Sequence, residues 1–199
     1  MGMRGTGVLA GVLLAVAVHG TADAKGGDDA GRIRPWQENP RYWAFRGKPV
    51  LLLGGSATDH IFLLDGLEAH VDEMAAVGAN YVRCTMSQRE GPDWKPHRRL
   101  ADGTFDLDRW NPDYWARFEA CLQACLERDI VIQIEVWDRF DFSQEHWDGS
   151  PWHPENNRNY TAEETGLPLR CPQHPAADRQ PFFHSVPGMP RYEARLDRV

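Results

Sequence analysis

The chain has 199 residues, 42% hydrophobic and 26% charged, a composition that allows one globular domain with a substantial core. Its net charge is −7 with both signs interspersed, which argues against the basic face a nucleic-acid partner would require. Such a balance leaves open an uncharged substrate such as a sugar.

In chain order, the first segment reads as a targeting signal. Arg4 supplies the positive start, Val8 to Val18 an apolar run too short to span a bilayer, and Ala22-Asp23-Ala24 a small-x-small cleavage site. Residues 1–24 are therefore expected to be a signal peptide. The mature chain would begin at Lys25, be secreted or periplasmic, and keep no membrane contact after cleavage. The Gly/Asp-rich residues 25–35 read as a flexible linker, leaving 36–199 for the folded domain.

Arg41 to Phe45 and Pro49 to Leu53 flank Arg46-Gly47-Lys48, the pattern of a β-hairpin. The second run, Val50-Leu51-Leu52-Leu53, is apolar throughout, as in strands covered on both faces in parallel sheets. Asp65 with Glu68 resembles a capping box opening a helix. Leu67, Val71, Met74 and Ala75 recur at helical spacing, and Gly78 stops it. Tyr81 to Met86 reads as the next strand. Asn111 as cap and Pro112 at the first helical position open a second helix, with Trp115, Phe118, Leu122, Cys125 and Leu126 as its apolar stripe. Ile130 to Val136 is the clearest strand. Asp138 to Pro190 reads as loop. Arg191 to Val199 reads as the first turns of an amphipathic helix with Tyr192, Leu196 and Val199 on its apolar side.

Strand, helix, strand, helix, strand is the signature of parallel βαβ units. Helices run into strands through two or three residues, whereas the connections leaving the strands are long, which places a site at the carboxyl ends of the strands. Gly54-Gly55-Ser56 is too short for a dinucleotide or phosphate loop. The expected class is α/β: about three βα units, the amino-terminal part of a (β/α)8 TIM barrel, preceded by a β-hairpin. A whole barrel takes roughly 250 residues, so the sequence reads as a truncated one.

Alternation along the strands separates Val82, Cys84 and Met86 from Tyr81, Arg83 and Thr85. It likewise separates Ile130, Ile132, Ile134 and Val136 from Val131, Gln133, Glu135 and Trp137. The apolar sets belong under helices, so Arg83, Gln133, Glu135 and Trp137 should face the barrel interior. Arg83 beside Glu135 is most economically an ion pair. It is also a group able to hold a carboxylate ionised at a site floor. Trp94, Trp110, Trp147 and Trp152, with Asp138, Asp141, His146 and His153, form a loop set whose rings and polar groups suit sugars. Packing of the loops is the competing reading for each ring.

The histidines show no H-x-x-x-H or H-E-x-x-H arrangement, and the cysteines no paired C-x-x-C spacing, so neither a metal nor a cofactor is expected. Cys121 and Cys125 lie one helical turn apart, Cys84 in a strand and Cys171 in a loop, with no obvious disulfide framework. Asn159-Tyr160-Thr161 fits a glycosylation acceptor.

The run Gly47-Lys48-Pro49-Val50-Leu51-Leu52-Leu53-Gly54-Gly55 resembles the first strand of clan A glycoside hydrolases. Gly78-Ala79-Asn80-Tyr81-Val82-Arg83 resembles their second, which ends in an arginine near the catalytic centre. Ile132-Gln133-Ile134-Glu135-Val136-Trp137-Asp138 resembles their third. With Phe105-Asp106-Leu107-Asp108-Arg109-Trp110-Asn111, the pattern over residues 36–190 is similar to cellulase-like and apiosidase-like bacterial proteins. The resemblance implies a retaining O-glycosidase acting on a polysaccharide or oligosaccharide. In such enzymes the two catalytic carboxyl groups stand on strands four and seven, the first within an Asn-Glu pair, and no such strands are read here. Arg83 alone carries over, as a supporting residue. Trp137, Asp138, Glu135, Trp94 and Trp147 are the candidate substrate-binding residues. The expectation is a secreted glycoside-hydrolase-like protein that is inactive as it stands, with carbohydrate as its partner. The alternatives are a non-catalytic carbohydrate-binding or surface-interaction protein and a gene fragment without function.

Overall fold

The computed structural model describes residues 32–89, 94–176, 180–185 and 189–199. The expected signal peptide and most of the expected linker lie outside the described residues. The chain forms two units that divide after Leu51.

The first unit is a three-stranded antiparallel sheet of β1 (Arg34–Trp36), β2 (Asn39–Phe45) and β3 (Lys48–Val50). The expected hairpin forms, with Phe45 opposite Lys48. Arg46 and Gly47 both take positive φ, 51° and 75°, the turn whose twist matches a two-residue hairpin. Arg34 and Pro35, read as linker, are in β1 because they pair with Ala44 and Trp43 of β2.

The second unit is built on two parallel strands, β4 (Tyr81–Thr85) and β7 (Val131–Glu135). Between them come β5 (His97–Arg99) and β6 (Phe105–Trp110), an antiparallel pair, and the helix α2 (Pro112–Glu127). Helix α1 (Leu67–Ala76) precedes β4. The register runs from Tyr81 opposite Val131 to Thr85 opposite Glu135. Backbone bonds continue it at both ends, Val131 N–H to Asn80 O at 2.8 Å and Met86 N–H to Glu135 O at 2.9 Å.

Alternation sorts the two faces as the sequence does. Val82, Cys84 and Met86 are fully buried in a core with Val71 and Met74 of α1 and Tyr114, Trp115 and Phe118 of α2. Asn111 caps α2 by accepting the Asp113 N–H at 3.2 Å. Cys84, Cys121, Cys125 and Cys171 are buried free thiols.

The run expected to be a strand covered on both faces departs from that reading. Strand β3 ends at Val50; Leu51 and Leu53 are 69% and 55% exposed. Residues 53–59 nevertheless flank β4, touching it at its two ends. Leu53 O accepts the Asn80 N–H at 2.8 Å, and Asp59 O accepts the Thr85 N–H at 2.6 Å. Between these anchors Gly54 passes so close to Tyr81 that a Cβ there would lie 1.7 Å from the Tyr81 carbonyl oxygen. This approach fits only glycine and leaves no room for a regular ladder.

The 138–190 segment also differs from the expected loop. Its described residues include the short helices α3 (Gln144–Asp148), α4 (Ala162–Thr165) and α5 (Pro181–Ser185), around a second core of Phe105, Phe142, Trp147, Trp152, Leu167 and Phe182. Aromatic side chains without helical periodicity bury this segment. The last helix, α6 (Pro190–Arg198), forms as expected but turns differently. Leu196 and Val199 are 39% and 38% exposed, while Arg195 is fully buried. Its Nη2 donates to Met86 O at 2.9 Å and Val136 O at 2.8 Å, and its guanidinium lies 4.2 Å from the Trp137 ring. Those bonds and the ring contact let a charged group take the interior in place of Leu196 and Val199, while Tyr192 stays stacked on the Trp137 ring.

Candidate active face at the carboxyl ends of the strands

The face of the parallel pair turned away from the helices is polar. Arg83 reaches across the ladder to Glu135 with two parallel bonds, Nε to Oε1 at 2.7 Å and Nη2 to Oε2 at 2.9 Å. Its Nη1 stands 3.5 Å from Asp59 Oδ1. The hydrogen bond to Glu135 leads in holding the guanidinium protonated above its ordinary range. Tyr81 donates its hydroxyl to Gln133, whose amide stands 3.5 Å from Glu135 Oε1. The pair is not buried as expected: the Arg83 and Glu135 side chains are 48% and 33% exposed. Both line an open floor.

Above this floor, the first turns leaving β4 and β7 are locked together. Asp141 is buried and accepts from Ser87 Oγ at 3.1 Å and the Gln88 N–H at 2.8 Å. Arg89 donates from Nη2 to Asp138 Oδ2 at 2.8 Å and from Nε to Ser87 Oγ at 3.1 Å, with Asp141 Oδ1 at 3.4 Å. Desolvation, followed by the neighbouring Asp138 charge, pushes the Asp141 carboxyl up to about 6.

The expected binding residues do not come together as one site. Glu135 and Asp138 stand at the end of β7. Trp137 lies in the second core, stacked on Tyr192 with ring centroids 4.5 Å apart and on the Arg195 guanidinium. Trp147 is 1% exposed and donates its indole N–H to Pro168 O at 2.9 Å, so it offers no face to a ligand. Trp110 and Trp152 flank the buried His97 ring, which desolvation pushes down to about 3. Trp94 borders a hollow of about 400 Å³ with Thr58, Leu63 and Asp65, and carries the Arg117 guanidinium 4.2 Å from its ring. His153 is tied to Leu169 O and the Glu155 N–H. Among the described residues no group of three or more His, Cys, Asp or Glu is placed to hold a metal ion. Asn159, within the glycosylation pattern, is engaged with Asp108 and the Leu107 N–H.

Sequence reasoning missed Asp59, Arg89, Phe140 and Arg195. Arg89 follows its strand by four residues, a position that alternation does not reach. Asp59 belongs to the irregular stretch beside β4, and its role depends on the Gly54 approach.

No family model and no curated protein matches this sequence. Among solved structures, a glutamate-to-alanine mutant of the glycoside hydrolase family 5 mannosidase from Rhizomucor miehei, in complex with mannosyl-fructose, matches over 85% of this chain at 16% identity with a TM-score of 0.50. The fold is similar to part of that glycoside hydrolase's. Two further structures of that mannosidase match 69% and 67% of the chain at TM-scores of 0.46 and 0.44, with 18% and 17% identity. The chain spans 36–42% of the length of these glycoside hydrolases. In this glycosidase-like fold, β4 and β7 are the parallel strands, and the open face bearing Arg83 and Glu135 is the side turned from the helices.

Proposed function

We propose that this chain forms the amino-terminal strands of a secreted, retaining O-glycoside hydrolase acting on a polysaccharide or oligosaccharide, and that the chain alone does not turn over. The observation that carries the reading is Arg83, gripped by Glu135 at the floor of an open polar face between parallel strands. A guanidinium fixed in that way can hold and orient a further carboxylate or a sugar hydroxyl. A solved structure that shares the fold, a mannosidase in complex with mannosyl-fructose, supports a carbohydrate partner.

Retaining hydrolysis needs two carboxyl groups about 5 Å apart, one as nucleophile and one as acid/base. Glu135 is bonded to Arg83 through both oxygens, and Asp141 is buried between Ser87 and Gln88. Neither is free to attack an anomeric carbon. In this reading the acid and the nucleophile belong to strands four and seven of the barrel.

Two measurements test this. The purified 199-residue chain, offered a panel of glycans, is expected to release no reducing sugar, and turnover on any of them overturns the inactivity. Transcript sequencing past the Val199 codon is expected to find an in-frame fourth apolar strand carrying Asn-Glu; a stop codon there instead removes the larger barrel.

A further inference from the structure

Charge is shared unevenly along this chain. Residues 32–51 carry five Arg and Lys against one Glu, whereas residues 52–199 carry 15 against 25 Asp and Glu. The net charge of −7 therefore hides a basic stretch. Strand register gathers much of it on one face of the β1–β2–β3 sheet. Trp43 pairs with Pro35 and Val50, and Phe45 with Lys48, so with Arg41 these side chains share a side. Ala44, on the other side, is 6% exposed, whereas Trp43 is 47% exposed. The Trp43 side is thus the outer face.

Along β2 the order is Arg41, Trp43, Phe45, with neighbours about 7 Å apart, and Lys48 stands beside Phe45. Arg41 and Lys48 are exposed, and among the described residues neither has an acidic partner. The Arg46 guanidinium lies 4.8 Å from the Phe45 ring and adds a third cation. Glu38 sits in the turn between β1 and β2, off this face. Cation, ring and cation on a flat surface complement a polymer whose every unit offers a carboxylate and an apolar ring face. A lipid surface fits less well, because interfacial anchoring relies on free rings and Phe45 is half-buried under Arg46. A nucleic-acid duplex also fits less well. Three cations neutralise few phosphates, and the 25 acidic residues elsewhere repel it.

Resting on the polysaccharide reading above, we infer that the outer face of the β1–β2–β3 sheet binds an acidic, uronate-bearing polysaccharide. Arg41 and Lys48 take its carboxylates, and Trp43 takes a sugar face between them. It is an attachment surface, with no catalytic group on it.

Affinity electrophoresis and calorimetric titration of the purified full chain with polygalacturonate at neutral pH test it, with mannan, duplex DNA and phosphatidylglycerol vesicles as comparisons. Polygalacturonate is expected to bind at roughly 0.05 M salt and to weaken at least about tenfold at roughly 0.5 M, where screening shortens the reach of each charge. Arg41→Gln with Lys48→Gln is expected to weaken binding at least about tenfold, through the loss of charge-assisted bonds. Trp43→Ala should weaken it about fivefold, through the loss of a ring contact. Arg98→Gln with Arg170→Gln removes the same charge from exposed positions of the second unit and is expected to leave binding unchanged. Cooperative melting shows each variant to be folded. No binding of polygalacturonate, unchanged binding in either face variant, equal loss in both double variants, or tighter binding of mannan, DNA or vesicles each overturns the inference. Such a failure leaves the proposed function standing, because that rests on the turnover and transcript tests.

Discussion

The Arg83 guanidinium and the Glu135 carboxylate meet edge to edge across neighbouring parallel strands, at 2.7 and 2.9 Å, on the side turned from α1 and α2. Arg83 is in register with Gln133, not Glu135, so the contact is diagonal. Side chains two residues apart on one strand share a face, and both are long enough to close that diagonal.

With the two side chains 48% and 33% exposed, water screens the pair, and its contribution to stability is below about 1 kcal/mol. Glu135→Gln is accordingly expected to leave the thermal midpoint nearly unchanged. A loss above about 2 kcal/mol in denaturant unfolding would make the pair a structural clamp, weakening the case for a functional floor.

Gly54 and Gly55 make a matched contrast. A Cβ at Gly54 would lie 1.7 Å from the Tyr81 carbonyl oxygen, whereas at Gly55 it meets nothing within 4 Å. Gly54→Ala must push residues 53–59 off β4 and is expected to cost about 2–3 kcal/mol. Gly55→Ala should be close to neutral. Equal effects in urea titrations would contradict the close approach.

Asp141 should impose a pH dependence. Its folded pKa, about 6, lies above the ordinary carboxylate value because burial disfavours the charge. The folded state therefore binds the proton more tightly than the unfolded one. The stability associated with this group is present in acid and is lost as pH rises through about 6. Relative to wild type, Asp141→Asn is expected to gain on the order of 2–3 kcal/mol between pH 4 and pH 7. Parallel stability curves for the two proteins would show that Asp141 does not titrate in this window.

Trp147 and Phe140 should respond unequally to truncation. Trp147 is buried in the second core and hydrogen-bonded to Pro168, so Trp147→Ala is expected to cost about 3–5 kcal/mol. Phe140→Ala, at an exposed ring, should cost less than about 1 kcal/mol. Thermal melts that reversed this order would return Trp147 to the sugar-binding set.

The parallel pair and its two faces were legible in the sequence because alternation in a strand is local: every second residue shares a side, so Val82 and Cys84 went under the helices and Arg83 and Glu135 did not. The helix cap at Asn111 and the hairpin turn at Arg46-Gly47 were legible for the same reason. The β5–β6 hairpin was not read, although Asp102-Gly103 marks its turn, with Gly103 at φ 89°. What the sequence left undecided depends on groups brought together from far apart along the chain. Arg195 is interior because two strand-end carbonyls and the Trp137 ring receive it, leaving Leu196 and Val199 toward solvent. Trp147 is core and Phe140 is surface for the same kind of reason, since residues 138–185 fold on aromatic contacts of no fixed period. Local pattern set the β4–β7 pair and its two faces; long-range packing ended β3 at Val50 and chose which polar and aromatic side chains face out.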